Sequence, residues 1–137
     1  PVPAYDLVGH SEVRQALDIP IASGETEYTR YGMRAMIEAK ACDILMPDLQ
    51  RIGGLSEMRK VAHLAEAYNL PISTHIFTEQ SLCIAGSVEN CTSIEHMPWY
   101  APLFNEKISI VEGCIDIPER PGLGFTFDEK AIAKLLI

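Results

Sequence analysis

The chain has 137 residues, with 11 Lys and Arg against 19 Asp and Glu, and a formal net charge of -8. This length allows one domain or part of one, and a hydrophobic share of 47% indicates a folded rather than a disordered chain. The acidic balance excludes the basic surface that nucleic acids require. No apolar run approaches the ~20 residues of a membrane span. Neither a nucleic acid nor a membrane is therefore an expected partner.

The cysteines and the first residues indicate the cellular compartment of the protein. The four cysteines, at positions 42, 83, 91 and 114, form no CxxC pair, which argues against a zinc site. The first residues show neither the basic nor the apolar region of a secretory signal. We therefore expect a cytoplasmic protein with reduced thiols.

Short apolar runs alternate with helical segments along most of the chain. Ser11 can cap a first short helix. Continuous apolar runs that predict strands lie at residues 19–22, 44–46, 70–73 and 92–94. Helices are predicted between these runs at residues 28–40, 56–68 and 80–89. After Trp99 the pattern changes and predicts a small hairpin over residues 107–117 and a last helix over 128–136.

The clearest periodicity lies in the third predicted helix, for which Ser56 is a possible cap. Its apolar positions recur at the spacing of one helix face: Met58, Val61, Ala62, Ala65 and Tyr68. This face is predicted to pack against a sheet.

Strands that alternate with helices of this length predict an α/β fold with a parallel sheet. The strand runs are continuous rather than alternating, as expected for strands buried on both faces. Four such units are too few for a closed eight-stranded barrel, which needs roughly 250 residues. The pattern leaves two possibilities, a small open sheet or about half of a barrel.

One charged or titratable residue follows each predicted strand: Glu25, Asp48, His75 and Glu95. They are 23, 27 and 20 residues apart, about one strand–helix unit each. Parallel strands bring such residues to the carboxyl edge of the sheet, where α/β active sites lie. Taken singly, each could be a helix cap or a structural residue, but four in phase indicate a functional site.

The residue types suggest a division of roles. A histidine beside an aspartate on the neighbouring strand forms a dyad in which the carboxylate orients the imidazole. A glutamate suits a cation that prefers oxygen ligands, such as Mg²⁺. These groups fit proton abstraction next to a carboxylate, and no GxSxG, P-loop or GxGxxG motif supports another chemistry. His96 is a candidate to support the site, whereas His10 and His63 are expected to be surface or packing residues.

Several motifs at these positions resemble one known family. They are ASGE at 22–25, DILMPD at 43–48, RIGG at 51–54, PISTHIF at 71–77, SIEH at 93–96 and IPERPGLG at 117–124. The sequence resembles the C-terminal half of the barrel domain of the enolase superfamily, in the mandelate racemase/muconate lactonizing enzyme family. The resemblance extends over nearly the whole chain.

The resemblance implies that residues 1–137 form about strands 5–8 of a TIM-type (β/α) barrel with a C-terminal tail. Glu25 then corresponds to a Mg²⁺ ligand, Asp48 and His75 to an acid/base dyad, and Glu95 to the acid that hydrogen-bonds the substrate carboxylate. The other two metal ligands, the Lys-x-Lys base, the first barrel strands and the N-terminal capping domain would lie outside this segment. The implied parent is a homo-oligomer that acts on a hydroxy or sugar acid through an enediolate.

The reaction stays open within this family. Residues 25–32 resemble the loop of some acid-sugar dehydratases, whereas residues 75–77 are closer to mandelate racemase. Acid-sugar dehydratase and racemase or cycloisomerase are both compatible with the sequence. The alternatives are a catalytically inactive fragment or a non-catalytic α/β scaffold.

Overall fold

The computed structural model describes residues 2–136 and contains one parallel sheet of four short strands. In chain order these are β1 (Ala22–Ser23), β2 (Ile44–Leu45), β3 (Ile72–Thr74) and β4 (Cys91–Ile94). Their spatial order is also β1-β2-β3-β4, and every pair is parallel. Sequential parallel strands joined by helices are the arrangement of a TIM-type barrel, and the sheet forms part of one.

Helices cover one face of the sheet. They are α1 (Leu7–Ala16), α2 (Thr29–Glu38), α3 (Leu49–Ile52), α4 (Leu55–Ala67) and α5 (Thr78–Ala85). The fully buried core joins Met33 and Met36 of α2 to Met58 and Val61 of α4, against Ile72 of β3. The apolar faces of α2 and α4 therefore meet each other and the sheet, as the predicted stripe required.

Some predicted boundaries were wrong for local reasons. α1 begins before Ser11, because the Asp6 carboxylate caps it by accepting from the Gly9 amide at 2.9 Å. α4 begins after Gly54, so Ser56 lies inside the helix and does not cap it. Tyr68 ends that helix and is 48% exposed, so the buried stripe stops at Ala65.

Two further boundaries differ from the predictions at the ends of the barrel segment. β1 includes only the last residue of the predicted run at 19–22, and pairs through Ala22 and Ser23 with β2. The last helix, α6 (Glu129–Ala133), is shorter than predicted and leaves Leu136 76% exposed.

An ion pair fixes the segment that leads into β1. The Asp43 carboxylate accepts from the Ile21 amide at 3.0 Å and from Arg14 Nε at 2.7 Å. The Ile21 hydrogen bond and then the guanidinium lower the pKa of Asp43 below its ordinary value. Asp43 thereby ties α1 and the β1 segment to the start of β2.

The tail contains its own small elements, and its β-strands form a sheet apart from the four-stranded one. It contains the predicted hairpin, β5 (Ile110–Val111) with β6 (Cys114–Ile115), and a 3₁₀ turn at Ala101–Leu103. The buried Phe104 ring stacks on Phe127 with ring centres 5.3 Å apart, which joins the turn to the segment before α6. Within residues 2–136, no helix is both long and apolar enough to cross a membrane.

Candidate active site

The backbone places His75 and Asp48 side by side at the carboxyl ends of β3 and β2. Asp48 and His75 form a parallel bridge, and the His75 amide donates to the Pro47 carbonyl at 3.1 Å. The side chains continue this pairing, with His75 Nδ1 2.8 Å from Asp48 Oδ2. The predicted Asp–His contact is therefore present, and the sheet register produces it.

The Asp48 carboxylate is fixed from both sides. Its side chain is 3% exposed, and its Oδ1 accepts from the Gln50 and Arg51 amides at 2.9 Å each. These two amides open α3, so Asp48 is also the N-cap of that helix. Asp48 therefore caps α3 through one carboxylate oxygen and contacts His75 through the other.

This arrangement determines which nitrogen of His75 is free. A carboxylate only accepts hydrogen bonds, so Nδ1, which faces Asp48, carries the proton. Nε2 of the neutral ring is then left with a lone pair. His75 is 20% exposed, so this nitrogen can reach a bound molecule. The pair thus presents an oriented imidazole nitrogen at the carboxyl edge of the sheet.

Glu95 lies on the other side of His75. Its amide donates to the Thr74 carbonyl at 3.0 Å, which places it one step beyond the end of β4. Glu95 Oε2 accepts from the Ile76 amide at 3.2 Å and is 3.7 Å from His75 Nε2. Asp48, His75 and Glu95 are therefore brought together, as the spacing along the sequence predicted.

The turn between β3 and α5 has an unusual backbone that the sequence did not reveal. Ile76 and Phe77 have φ of 32° and 48°, in the left-handed region that non-glycine residues rarely adopt. The Phe77 ring stacks on Tyr100 with ring centres 4.8 Å apart. The Thr78 hydroxyl contacts both the Glu95 carbonyl and His96. Strain of this kind persists only where the surroundings fix the backbone.

Glu25 stands apart from this group. It follows β1, and its carbonyl accepts from the Arg51 guanidinium at 3.2 Å, which links its loop to α3. Within residues 2–136, its carboxylate has no hydrogen-bond partner, and no three His, Cys, Asp or Glu side chains come together to hold a metal ion. Both oxygens of the Asp48 carboxylate already take part in hydrogen bonds, one with His75 and one with the first amides of α3. Among the described residues, the Glu25 carboxylate therefore fits one ligand of an oxygen-coordinated cation, but no complete set of ligands is present.

The remaining histidines lie outside the group. His63 is on the exposed side of α4, 3.3 Å from Glu66, as expected for a surface residue. His10 is half-buried on α1, with Nδ1 3.4 Å from the hydroxyl of Ser23 in β1.

Comparison with known proteins agrees with the fold. The sequence profile described as "Enolase C-terminal domain-like" matches residues 1–131. D-xylonate dehydratase from Haloferax volcanii is 38% identical over 96% of this chain and 34% of its own length. D-galactarolactone cycloisomerase from Agrobacterium fabrum is 31% identical over 98% of this chain and 40% of its own length.

A solved structure gives the same result in three dimensions. L-talarate dehydratase from Polaromonas sp. JS666, complexed with Mg and L-glucarate, superposes with a TM-score of 0.90 at 38% identity. The match covers 97% of this chain and 37% of that structure's chain. The chain thus spans about a third of the length of such relatives. It belongs to the enolase C-terminal domain-like family and is a C-terminal part of the barrel in the mandelate racemase/muconate lactonizing enzyme group.

Proposed function

We propose that the complete protein abstracts the proton α to the carboxylate of a sugar acid, with Mg²⁺, and dehydrates the resulting enediolate. The observation that carries this proposal is the oriented His75 Nε2, backed by buried Asp48 and flanked by Glu95, at the carboxyl edge of a parallel sheet. Relatives named as sugar-acid dehydratases support it. A homo-oligomeric, cytoplasmic protein is part of the same proposal.

His75 performs the proton transfers in this scheme. Nε2 accepts the α proton, and the charge that develops on the ring is stabilised by Asp48 Oδ2 at 2.8 Å. The protonated ring then donates to the departing β-hydroxyl, which leaves as water. The enol that remains tautomerises to a 2-keto-3-deoxy acid. One residue thus acts first as base and then as acid, on one face of the substrate.

Glu95 is the proposed hydrogen-bond donor to the substrate carboxylate. Its side chain is 38% exposed in this segment and is oriented by the Ile76 amide. A protonated Glu95 would stabilise the negative charge that moves onto the carboxylate oxygens as the α proton leaves.

Mg²⁺ would be held by Glu25 together with oxygen ligands from outside this segment. When bound, the ion supplies positive charge that stabilises the substrate carboxylate and the enediolate. We further propose that the first barrel strands and the capping domain, which complete the site, belong to the parent protein outside residues 1–137. Glu25→Gln in the parent should weaken Mg²⁺ binding measured by calorimetry, and unchanged binding would remove Glu25 from the ligand set.

The relative named as a cycloisomerase supports a second candidate reaction, an isomerisation from the same enediolate. The two differ in the fate of the β-hydroxyl, because dehydration expels it and isomerisation retains it. The base on the opposite face of the substrate, outside this segment, would decide between them.

The test uses the full-length parent with Mg²⁺ and a panel of sugar acids and hydroxy acids. Formation of a 2-keto-3-deoxy acid identifies dehydration, and exchange of the α proton in D₂O without water loss identifies isomerase chemistry. His75→Asn should abolish both, whereas His63→Asn at the exposed α4 site should change neither. Absence of turnover and of exchange across the panel would favour the inactive scaffold.

A further inference from the structure

We propose that His96 is a positioning residue that holds the turn between β3 and α5 and so keeps Glu95 apart from His75. His96 touches neither His75 nor the carboxylate of Glu95 in the observed hydrogen bonds. Its contact is with Thr78, the first residue of α5, at 3.0 Å from Nδ1 to Oγ1. The inference rests on the proposed roles of His75 and Glu95.

The Thr78 hydroxyl lies between His96 and the backbone of Glu95. Thr78 is completely buried, and its Oγ1 is 3.0 Å from His96 Nδ1 and 3.3 Å from the Glu95 carbonyl, which can only accept. With a proton on Nδ1, His96 donates to the hydroxyl and the hydroxyl donates to the carbonyl. With Nδ1 unprotonated, the hydroxyl donates to His96 instead. In both tautomers the contact holds Thr78 against His96, and the Nδ1–H tautomer uses both hydrogen bonds.

These hydrogen bonds hold a turn whose backbone conformation is unfavourable. Ile76 and Phe77, directly before Thr78, have the left-handed φ of 32° and 48°. For non-glycine residues each such conformation is unfavourable and persists when neighbouring contacts fix it. Stacking of Phe77 on Tyr100 fixes one side of the turn, and the Thr78 hydroxyl fixes the other.

The strained turn orients the side chain of Glu95. It directs the Ile76 amide at Glu95 Oε2, 3.2 Å away. The same oxygen is 3.7 Å from His75 Nε2, just beyond hydrogen-bond distance. If the turn relaxed and released Oε2, a movement of under about 1 Å would let Glu95 bond to Nε2 and occupy the base. His96 and Thr78 thereby keep the two groups separate and ready for substrate.

The experiment compares matched variants of the full-length parent. His96→Leu and Thr78→Val remove the contact at similar volume, and His96→Asn and Thr78→Ser restore a donor or a hydroxyl. His63→Leu is the control for losing an exposed histidine. We expect kcat to fall about 10–100-fold in the two removing variants, with KM and melting temperature little changed. The restoring variants should recover to within about threefold of wild type.

Two further measurements separate this proposal from a merely structural role. In the double variant His96→Leu/Thr78→Val, kcat should fall no further than in Thr78→Val alone, because that variant already removes the contact with His96 along with the one to the Glu95 carbonyl. Hydrogen exchange at the Ile76 amide should become at least about tenfold faster in both single variants, since that amide loses its fixed acceptor.

The outcomes are distinguishable from a failure of the proposed function. Exchange at Ile76 needs no turnover, so it tests the turn even if no sugar acid reacts. Multiplicative losses of kcat in the double variant, or unchanged exchange at Ile76, would overturn the positioning role. Faster exchange with unchanged kcat would also overturn it, because the turn would then have no effect on catalysis.

Discussion

Asp48→Asn tests the proposed base with a change of one atom. Asp48 Oδ1 accepts from two backbone amides at 2.9 Å, so the asparagine must place its oxygen there and turn its NH₂ toward His75. That NH₂ donates to Nδ1, 2.8 Å away in the wild type, which moves the ring proton to Nε2. A protonated Nε2 cannot accept the α proton.

The expected loss is large in rate and small in stability. We expect kcat to fall about 10³–10⁴-fold, the effect of replacing a carboxylate that orients a catalytic imidazole by an amide. Asparagine caps helices about as well as aspartate, so the free energy of unfolding should change by less than about 1 kcal/mol.

Asp48→Ala is the matched comparison, because it removes the carboxylate and the cap together. It should lose a similar factor in kcat and, in addition, about 1–2 kcal/mol of stability from the lost cap of α3. Steady-state kinetics, chemical denaturation and ¹⁵N NMR of the His75 ring in the parent protein measure the three quantities. A kcat for Asp48→Asn within tenfold of wild type, or a ring that keeps its proton on Nδ1, would refute the reasoning.

Three further predictions concern other parts of the chain. Glu95→Gln keeps an acceptor for the Ile76 amide but is a weaker hydrogen-bond donor than a carboxylic acid. We therefore expect kcat to fall about 10²–10⁴-fold with little change in melting temperature, and an unchanged kcat would remove Glu95 from the site. Val61→Asp should destabilise the protein by about 3 kcal/mol or more in denaturation experiments, because Val61 is fully buried, whereas Arg59→Asp at an exposed position should change stability by less than about 0.5 kcal/mol. Asp43→Asn should lower stability at neutral pH, because the lowered pKa of Asp43 means that its ionised form favours the fold. The difference in free energy of unfolding between Asp43→Asn and wild type should be present above about pH 3.9 and vanish as the pH falls through the pKa of Asp43 in the folded protein. A stability difference independent of pH would contradict this account.

The placement of the site could be derived from the chain because parallel strands have a simple geometry. Asp48, His75 and Glu95 each come directly after a continuous apolar run, they are about one strand–helix unit apart, and adjacent parallel strands end at one edge. The Asp48–His75 contact follows from that register without further information. The buried face of α4 could likewise be derived, since a period of 3.6 residues requires one apolar side.

The ends of the helices could not be derived in the same way, because several residues can serve as a cap. Ser11 and Ser56 have suitable side chains, yet Asp6 and Gly54 occupy the cap positions. The choice depends on where the chain turns to bring each apolar face onto the sheet, which no single residue determines.

The sequence by itself determined the parallel α/β arrangement, the apolar faces and the edge at which the charged residues meet, because each depends on spacing along one chain. Only the tertiary structure decided that Asp48 caps α3 while it orients His75. It also decided that the left-handed turn at Ile76 and Phe77 presents an amide to Glu95, braced by Thr78 and His96. The cap is a local contact, but the other contacts join residues 18 to 27 positions apart, where packing outweighs local conformational preference.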